Sequence, residues 1–332
     1  MMQDSLLKVQ GLQVEFNSRR GKAMVLNGVD LEIHQGQTLC LVGESGCGKS
    51  MTALALLQLI PSPPGKISGG QVFFHGEDLL RATQERMQEV RGNRISMIFQ
   101  EPMTSLNPVF SVGDQVAESL RLHAGLDPAA ARLQAIEMLK QVGIPAPERR
   151  VDEYPHQLSG GMRQRALIAI AIACEPSVLI ADEPTTALDV TIQAQIVDLL
   201  LELSQRQKMA MLFITHNLGA VAACCERVVT MYAGEIIEDA GVDELLTRPL
   251  HPYSSALLHS VPRGHKSELR LSSIPGRVPA PSAWPQGCRF AERCDYVQPG
   301  CTAHTVPLRT PVAKHQVRCV RSGDLHLEGV VL

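Results

Sequence analysis

Apolar and polar residues alternate with period two in "LLKVQGLQVEF" and "VLNGVDLEI", which predicts two strands separated by the charged turn "NSRRGK". "QTLCLVG" (Gln37–Gly43) is a short apolar run that ends in glycine, as a buried strand does. "SMTALALLQLI" then predicts an apolar helix, stopped by "PSPPG". "RISMIFQ", "SVLIAD" and "MLFITH" predict further buried strands. Between about 112 and 175 the pattern turns helical, as in "AAARLQAIEMLKQVG". Strands alternating with helices predict a mostly parallel α/β sheet, and the central helical block predicts an inserted subdomain at about 101–175. Beyond about 262 the chain is proline-rich and has little periodicity.

Composition narrows the class. Hydrophobic residues make up 45% and charged ones 20%, as in a soluble globular protein. The net charge of -3 gives no electrostatic case for nucleic-acid binding. No apolar run is long enough to span a membrane, and "MMQDSLLKVQ" lacks a signal pattern, so a cytoplasmic chain is expected. Thiols there are normally reduced. Five of the nine cysteines (Cys40, Cys47, Cys174, Cys224, Cys225) are expected to be small buried hydrophobes.

"GESGCGKS" fits G-x-x-x-x-G-K-[ST] from Gly43 through Glu44, Ser45, Gly46, Cys47, Gly48 and Lys49 to Ser50, between a predicted strand and a predicted helix. Glycines let backbone N–H groups wrap a phosphate chain, and the helix start adds its positive dipole end. Lys49 can reach the outer phosphates and Ser50 can ligand Mg²⁺. "SVLIADEP" ends a strand in Asp182, placed for the Mg²⁺ shell, followed by Glu183 as general base for the attacking water. A solvated Asp-Glu pair is the weaker alternative. "LSGGMRQR" puts Ser159, Gly160 and Gly161 ahead of a helix, a second anion-binding start. One γ-phosphate cannot easily use both, so a head-to-tail dimer is expected, each such segment covering the other subunit's nucleotide.

With these motifs the chain resembles the nucleotide-binding subunit of an ATP-binding cassette (ABC) importer, from about residue 6 to the end. The resemblance implies a phosphate-loop ATPase core over 1–261 and ATP with Mg²⁺ held by Ser50, Gln100 and Asp182. It makes Gln100 the Q-loop glutamine, "ALD" (Ala187–Asp189) the D-loop with Asp189, and His216 the switch histidine at the γ-phosphate. Phe16 is the candidate for stacking on adenine, an ordinary core Phe being the alternative. Met51, Met162 and the His-Asn of "FITHN" depart from the commoner pattern, but none removes a group with a direct chemical role.

"EPMTSLNPVFSVGDQ" and "HPYSSALL" resemble the dipeptide, oligopeptide and nickel importer branch. That implies a second, non-identical cassette and two membrane permease subunits. It further implies an extracytoplasmic solute-binding protein and a peripheral place on the cytoplasmic face of the inner membrane. Peptides are the expected solute, with nickel complexes, glutathione or opines behind. A soluble ABC ATPase should show a coiled-coil insertion, tandem cassettes or a basic arm, and none is found. A phosphate-loop kinase or GTPase would lack "LSGG".

The tail at 262–332 carries Cys288, Cys294, Cys301 and Cys319, spaced C-x5-C-x6-C-x17-C. Four thiolates suit a small irregular module in which metal replaces hydrophobic burial. Ligand type leaves zinc and an iron–sulfur cluster open, and His315 is a less favoured substitute ligand. The resemblance implies a [4Fe-4S] cluster.

Overall fold

The computed structural model describes residues 5–18, 21–100, 105–186, 188–260 and 274–330. Arg19 and Arg20 of the charged turn, Glu101–Thr104 of the Q-loop segment, Ala187 of the D-loop and the boundary expected at 261/262 lie outside them. The chain divides into two compact units. One comprises Met1–Ile33, Thr38–Leu80 and Ile214–Leu332, and the other His34–Gln37 and Arg81–Phe213.

In the first unit, β1 (Leu7–Ser18) pairs antiparallel with β2 (Gly21–Ile33), from Leu7↔Ile33 to Ser18↔Gly21. It also pairs with β4 (Gly65–Phe74), which carries the two-residue β5 (Glu77–Asp78) at its edge. Alternation buries Leu7 and Val9, and after a register shift at Gly11 (φ 58°) it buries Leu12 and Val14. A second run of strands has the order β11-β12-β10-β9-β3. Its members are β3 (Thr38–Val42), β9 (Arg227–Tyr232), β10 (Glu235–Gly241), β11 (Arg309–Val312) and β12 (His315–Val317). β3 runs parallel to β9 (Leu39↔Arg227 to Val42↔Thr230) and is buried throughout, as a strand covered on both faces must be.

The helix after the glycine loop, α1 (Lys49–Leu56), is shorter than its apolar pattern implies. Gln58 turns left-handed (φ 51°), and the Leu59 N–H donates to Leu54 O, closing the helix before the prolines.

The second unit holds β6 (Ile95–Ile98) parallel to β7 (Val178–Asp182), flanked by β8 (Ala210–Thr215). Its longer helices are α2 (Gln84–Val90), α3 (Val112–Ala124), α4 (Pro128–Gln141), α5 (Gly160–Ile172) and α6 (Val190–Gln207). Local chemistry starts them: Ser111 caps α3, and Asp127, with Pro128 at the first helical position, caps α4. α3, α4 and α5 pack on one another, and Val116, Leu120, Ala135, Leu139 and Ile168 along them are buried.

Two expectations need correction. Cys40 and Cys225 are not separate thiols. They form a disulfide across 185 residues, with their Cα atoms 6.0 Å apart. The register of β3 against β9 sets Cys40 opposite Val228, and so brings it beside the Cys224–Cys225 helix end. Spacing along the chain carries no sign of that neighbourhood. The tail is also not wholly irregular, because β12 adds to β10 with Glu238↔Val317. A three-residue strand is too short to display a period.

Candidate functional site

The glycine loop stands between β3 and α1, and its backbone needs its glycines. Gly43 has φ 153° and Gly48 φ 116°. A Cβ on Gly43 would lie 2.3 Å from Met231 O, and one on Gly48 2.8 Å from Leu26 Cδ2. The loop is braced by the β9–β10 turn, where Gly234 N–H donates to Cys47 O at 2.7 Å. Lys49 is buried and curls back, its Nζ donating to Gly43 O at 2.8 Å and Glu44 O at 3.1 Å. Ser45 and Gly46 are exposed at the loop's crest, while Ser50 and Met51 are half-buried in the first turn of α1. Burial raises the Cys47 thiol, with Lys49 opposing the shift. Phe16 is half-buried on β1, facing Gly65 of β4, where an added Cβ would come within 2.8 Å of its Cζ. His216 follows the end of β8 and is exposed.

The second unit carries the carboxylates. Asp182 is the buried last residue of β7. Glu183, next along the chain, is held left-handed at φ 46°, a conformation that costs energy in a non-glycine residue and gathers at functional sites. One of its oxygens, Oε2, accepts from Gln100 Nε2 at 3.0 Å and from Thr186 Oγ1 at 3.1 Å. The structure therefore joins Gln100 and Glu183, which are 83 residues apart. Ser159 is the N-cap of α5, its Oγ accepting the Met162 N–H at 3.4 Å, so "LSGG" does open a helix. Beside it, Asp189 caps α6 by accepting the Ile192 N–H at 2.9 Å. A Cβ on Gly161 would press on Ile192 Cγ2 at 3.1 Å, which links the two helix starts.

The four tail cysteines line one small cavity together with His251, Pro252 and Tyr296. None of them is in a disulfide. Burial pushes the Cys288 thiol up to about 12 and raises Cys294 and Cys319 as well. His315 is not among the residues lining the cavity, and its Nε2 stands 2.7 Å from the buried Glu238 Oε1.

Comparison with known proteins places the chain in a family. Residues 26–186 match the ABC transporter family, and residues 237–301 match the oligopeptide/dipeptide transporter C-terminal region. The chain is 50% identical to a probable peptide ABC transporter ATP-binding protein, y4tR, of Sinorhizobium fredii, over 97% of this chain and 96% of that one. The chain belongs to the ABC transporter ATP-binding proteins. This ABC subunit is also 46% identical to the oligopeptide transport ATP-binding protein AppD of Bacillus subtilis, over 95% of this chain and 96% of that one. Among solved structures, the ATP-binding cassette MJ0796, a dimer in a post-hydrolysis state with ADP and Pi, matches at a TM-score of 0.64. It is 26% identical and covers 71% of this chain and 98% of its own. The ABC subunit is thus an ATP hydrolase built on the α/β cassette fold. Among its described residues no helix is long and apolar enough to cross a membrane.

Sequence reasoning missed three residues around these sites. Tyr253 accepts the Glu44 N–H at 2.8 Å, Arg293 pairs with the Glu44 carboxylate, and His251 lines the cysteine cavity. His251 and Tyr253 stand in "HPYSSALL", noted only as a family marker, and Arg293 stands immediately before a cysteine. Those placements were the available signals.

Proposed function

We propose that this ATPase subunit energises the import of peptides through an ABC transporter. One coincidence carries the reading: a phosphate loop at Gly43–Ser50 and a match over 237–301 to the C-terminal region of oligopeptide and dipeptide transporters occur on one chain. Relatives named for peptide transport at 46–50% identity support the same solute class. The backbone of Gly43 to Met51, with Lys49, takes the phosphates, and Phe16 takes the adenine. Ser50, Gln100 and Asp182 would hold Mg²⁺, which would neutralise phosphate charge there. Glu183 accepts a proton from water as its oxygen bonds to the γ-phosphorus and the bond to ADP breaks. His216 holds the γ-phosphate. Ser159, Gly160 and Gly161 address the nucleotide of a second, non-identical cassette, with Asp189 at that interface. Two permeases and, through them, an extracytoplasmic binding protein complete the assembly on the cytoplasmic face of the inner membrane.

Residues 262–332 form its metal-bearing region, and the reading there is a [4Fe-4S] cluster on Cys288, Cys294, Cys301 and Cys319, with zinc as the alternative. The geometry supports a metal. The four thiols line one cavity, with no disulfide among them. His251 Nδ1 accepts the Tyr253 N–H, so its Nε2 bears the ring proton, yet that buried atom has no partner among the described residues. A buried donor of this kind costs about 1–3 kcal/mol until it finds an acceptor such as a metal-bound sulfur.

Co-purification tests the assembly. Expressed with the permease pair, the chain should be recovered with them and a second cassette. Recovery as a self-sufficient homodimer with full activity would contradict the heteromeric transporter.

A further inference from the structure

The cysteine-bearing tail reaches the phosphate loop. Between Cys288 and Cys294 the chain makes a 3-10 turn, Ala291–Arg293, seated on an aromatic cluster in which Phe290 packs 5.3 Å from both Tyr232 and Tyr253. Cys288, Ala291 and Cys294 face the cysteine cavity, while Arg293 departs towards the loop. Its guanidinium meets the Glu44 carboxylate fork to fork, Nη1 to Oε2 at 2.7 Å and Nη2 to Oε1 at 2.9 Å. The remaining donors are used too. Nε donates to Pro275 O at 2.7 Å, Nη1 to Tyr232 Oη at 3.3 Å and Nη2 to Ile274 O at 3.3 Å. All five N–H groups are engaged and the side chain is 6% exposed, so the cation is fixed rather than draped on the surface.

Glu44 is the second residue of the phosphate loop, and its own N–H is pinned by Tyr253 Oη. A carboxylate at that position opposes the binding of a polyanion unless its charge is compensated. The compensating charge comes from the tail.

We propose that the tail controls the phosphate loop through Arg293, which neutralises Glu44 and fixes its place, so that the loop's affinity for nucleotide depends on the cysteine module. Arg293 is a positioning residue, acting through Glu44. The proposal rests on the loop being the nucleotide site and not on which metal the cysteines hold.

The test is MgATP titration of the full chain at low salt. Arg293→Ala should weaken binding roughly tenfold by exposing the Glu44 charge to the phosphates, and raised salt should narrow the gap. Arg293→Ala with Glu44→Gln should recover most of the loss, which a merely structural role for Arg293 would not produce. Arg293→Gln keeps donors and volume but lacks charge, and should weaken binding similarly if the alanine variant does not fold. Lys49→Ala is titrated alongside. Weaker binding there with parental binding in both Arg293 variants overturns this proposal alone. Parental binding in all of them overturns the phosphate-loop reading with it. A double variant no tighter than Arg293→Ala would also overturn the charge-compensation mechanism.

Discussion

Gln100 donates its side-chain amide to Glu183, 3.0 Å from Nε2 to Oε2, and Thr186 donates to the same oxygen. The carboxylate proposed as general base is therefore held by a glutamine proposed to serve Mg²⁺. Glu183→Gln removes the base while leaving Asp182 and the phosphate loop in place. Steady-state hydrolysis should fall about 10²–10⁴-fold, the usual worth of a positioned general base. MgATP affinity should stay near the parental value. Phosphate release and nucleotide trapping, measured together, check this, and near-normal turnover would remove Glu183 from that role.

Lys49 Nζ bonds to two carbonyls of its own loop, Gly43 O and Glu44 O. Exchanging those neutral acceptors for phosphate oxygens forms the stronger, charge-assisted bonds. Lys49→Ala should weaken ATP binding itself by about 1.5–3 kcal/mol, roughly 10- to 150-fold. Equilibrium titration reads this directly, and unchanged affinity would count against the loop.

Ser159 caps α5, and it is proposed to serve the partner cassette's nucleotide as well. Ser159→Ala should cost about 1 kcal/mol of stability through the lost cap. Its larger effect should be on hydrolysis at the partner's site rather than at this chain's own. Site-resolved turnover in the heteromer, with the other site disabled, separates the two, and equal loss at both sites would contradict the assignment.

The four tail thiols line one cavity, and the proposed cluster needs all four of them. Anaerobically purified protein should be brown, and Cys294→Ser should lose most of its visible absorbance and iron. Colourless anaerobic protein with one zinc per chain would replace the cluster by zinc. Folded protein without metal would leave four buried thiols.

Residues whose job is set by their immediate neighbours were legible in the sequence. The Gly43–Ser50 loop announces itself because φ of 153° and 116° demands glycine at 43 and 48, and "LSGG" because a serine starts a helix. β3 and β7 are short apolar runs because they are buried along their whole length. What escaped lies in contacts between distant segments. Arg293 meets Glu44 across 249 positions, and Tyr253 reaches the same residue across 209. Cys40 finds Cys225 only through sheet register. An arginine in a proline-rich tail has no periodicity to betray its partner, and neither does one cysteine among nine.

The most direct measurement of the central claim is ATP-driven uptake of a labelled oligopeptide. It would use proteoliposomes carrying the permeases, both cassettes and the solute-binding protein, with parental chain or Glu183→Gln. The account predicts peptide accumulation with ATP for the parent. With Glu183→Gln it predicts accumulation reduced to the level without ATP, although nucleotide still binds. Undiminished uptake with Glu183→Gln, or no ATP-dependent peptide uptake by the parental assembly, would contradict it.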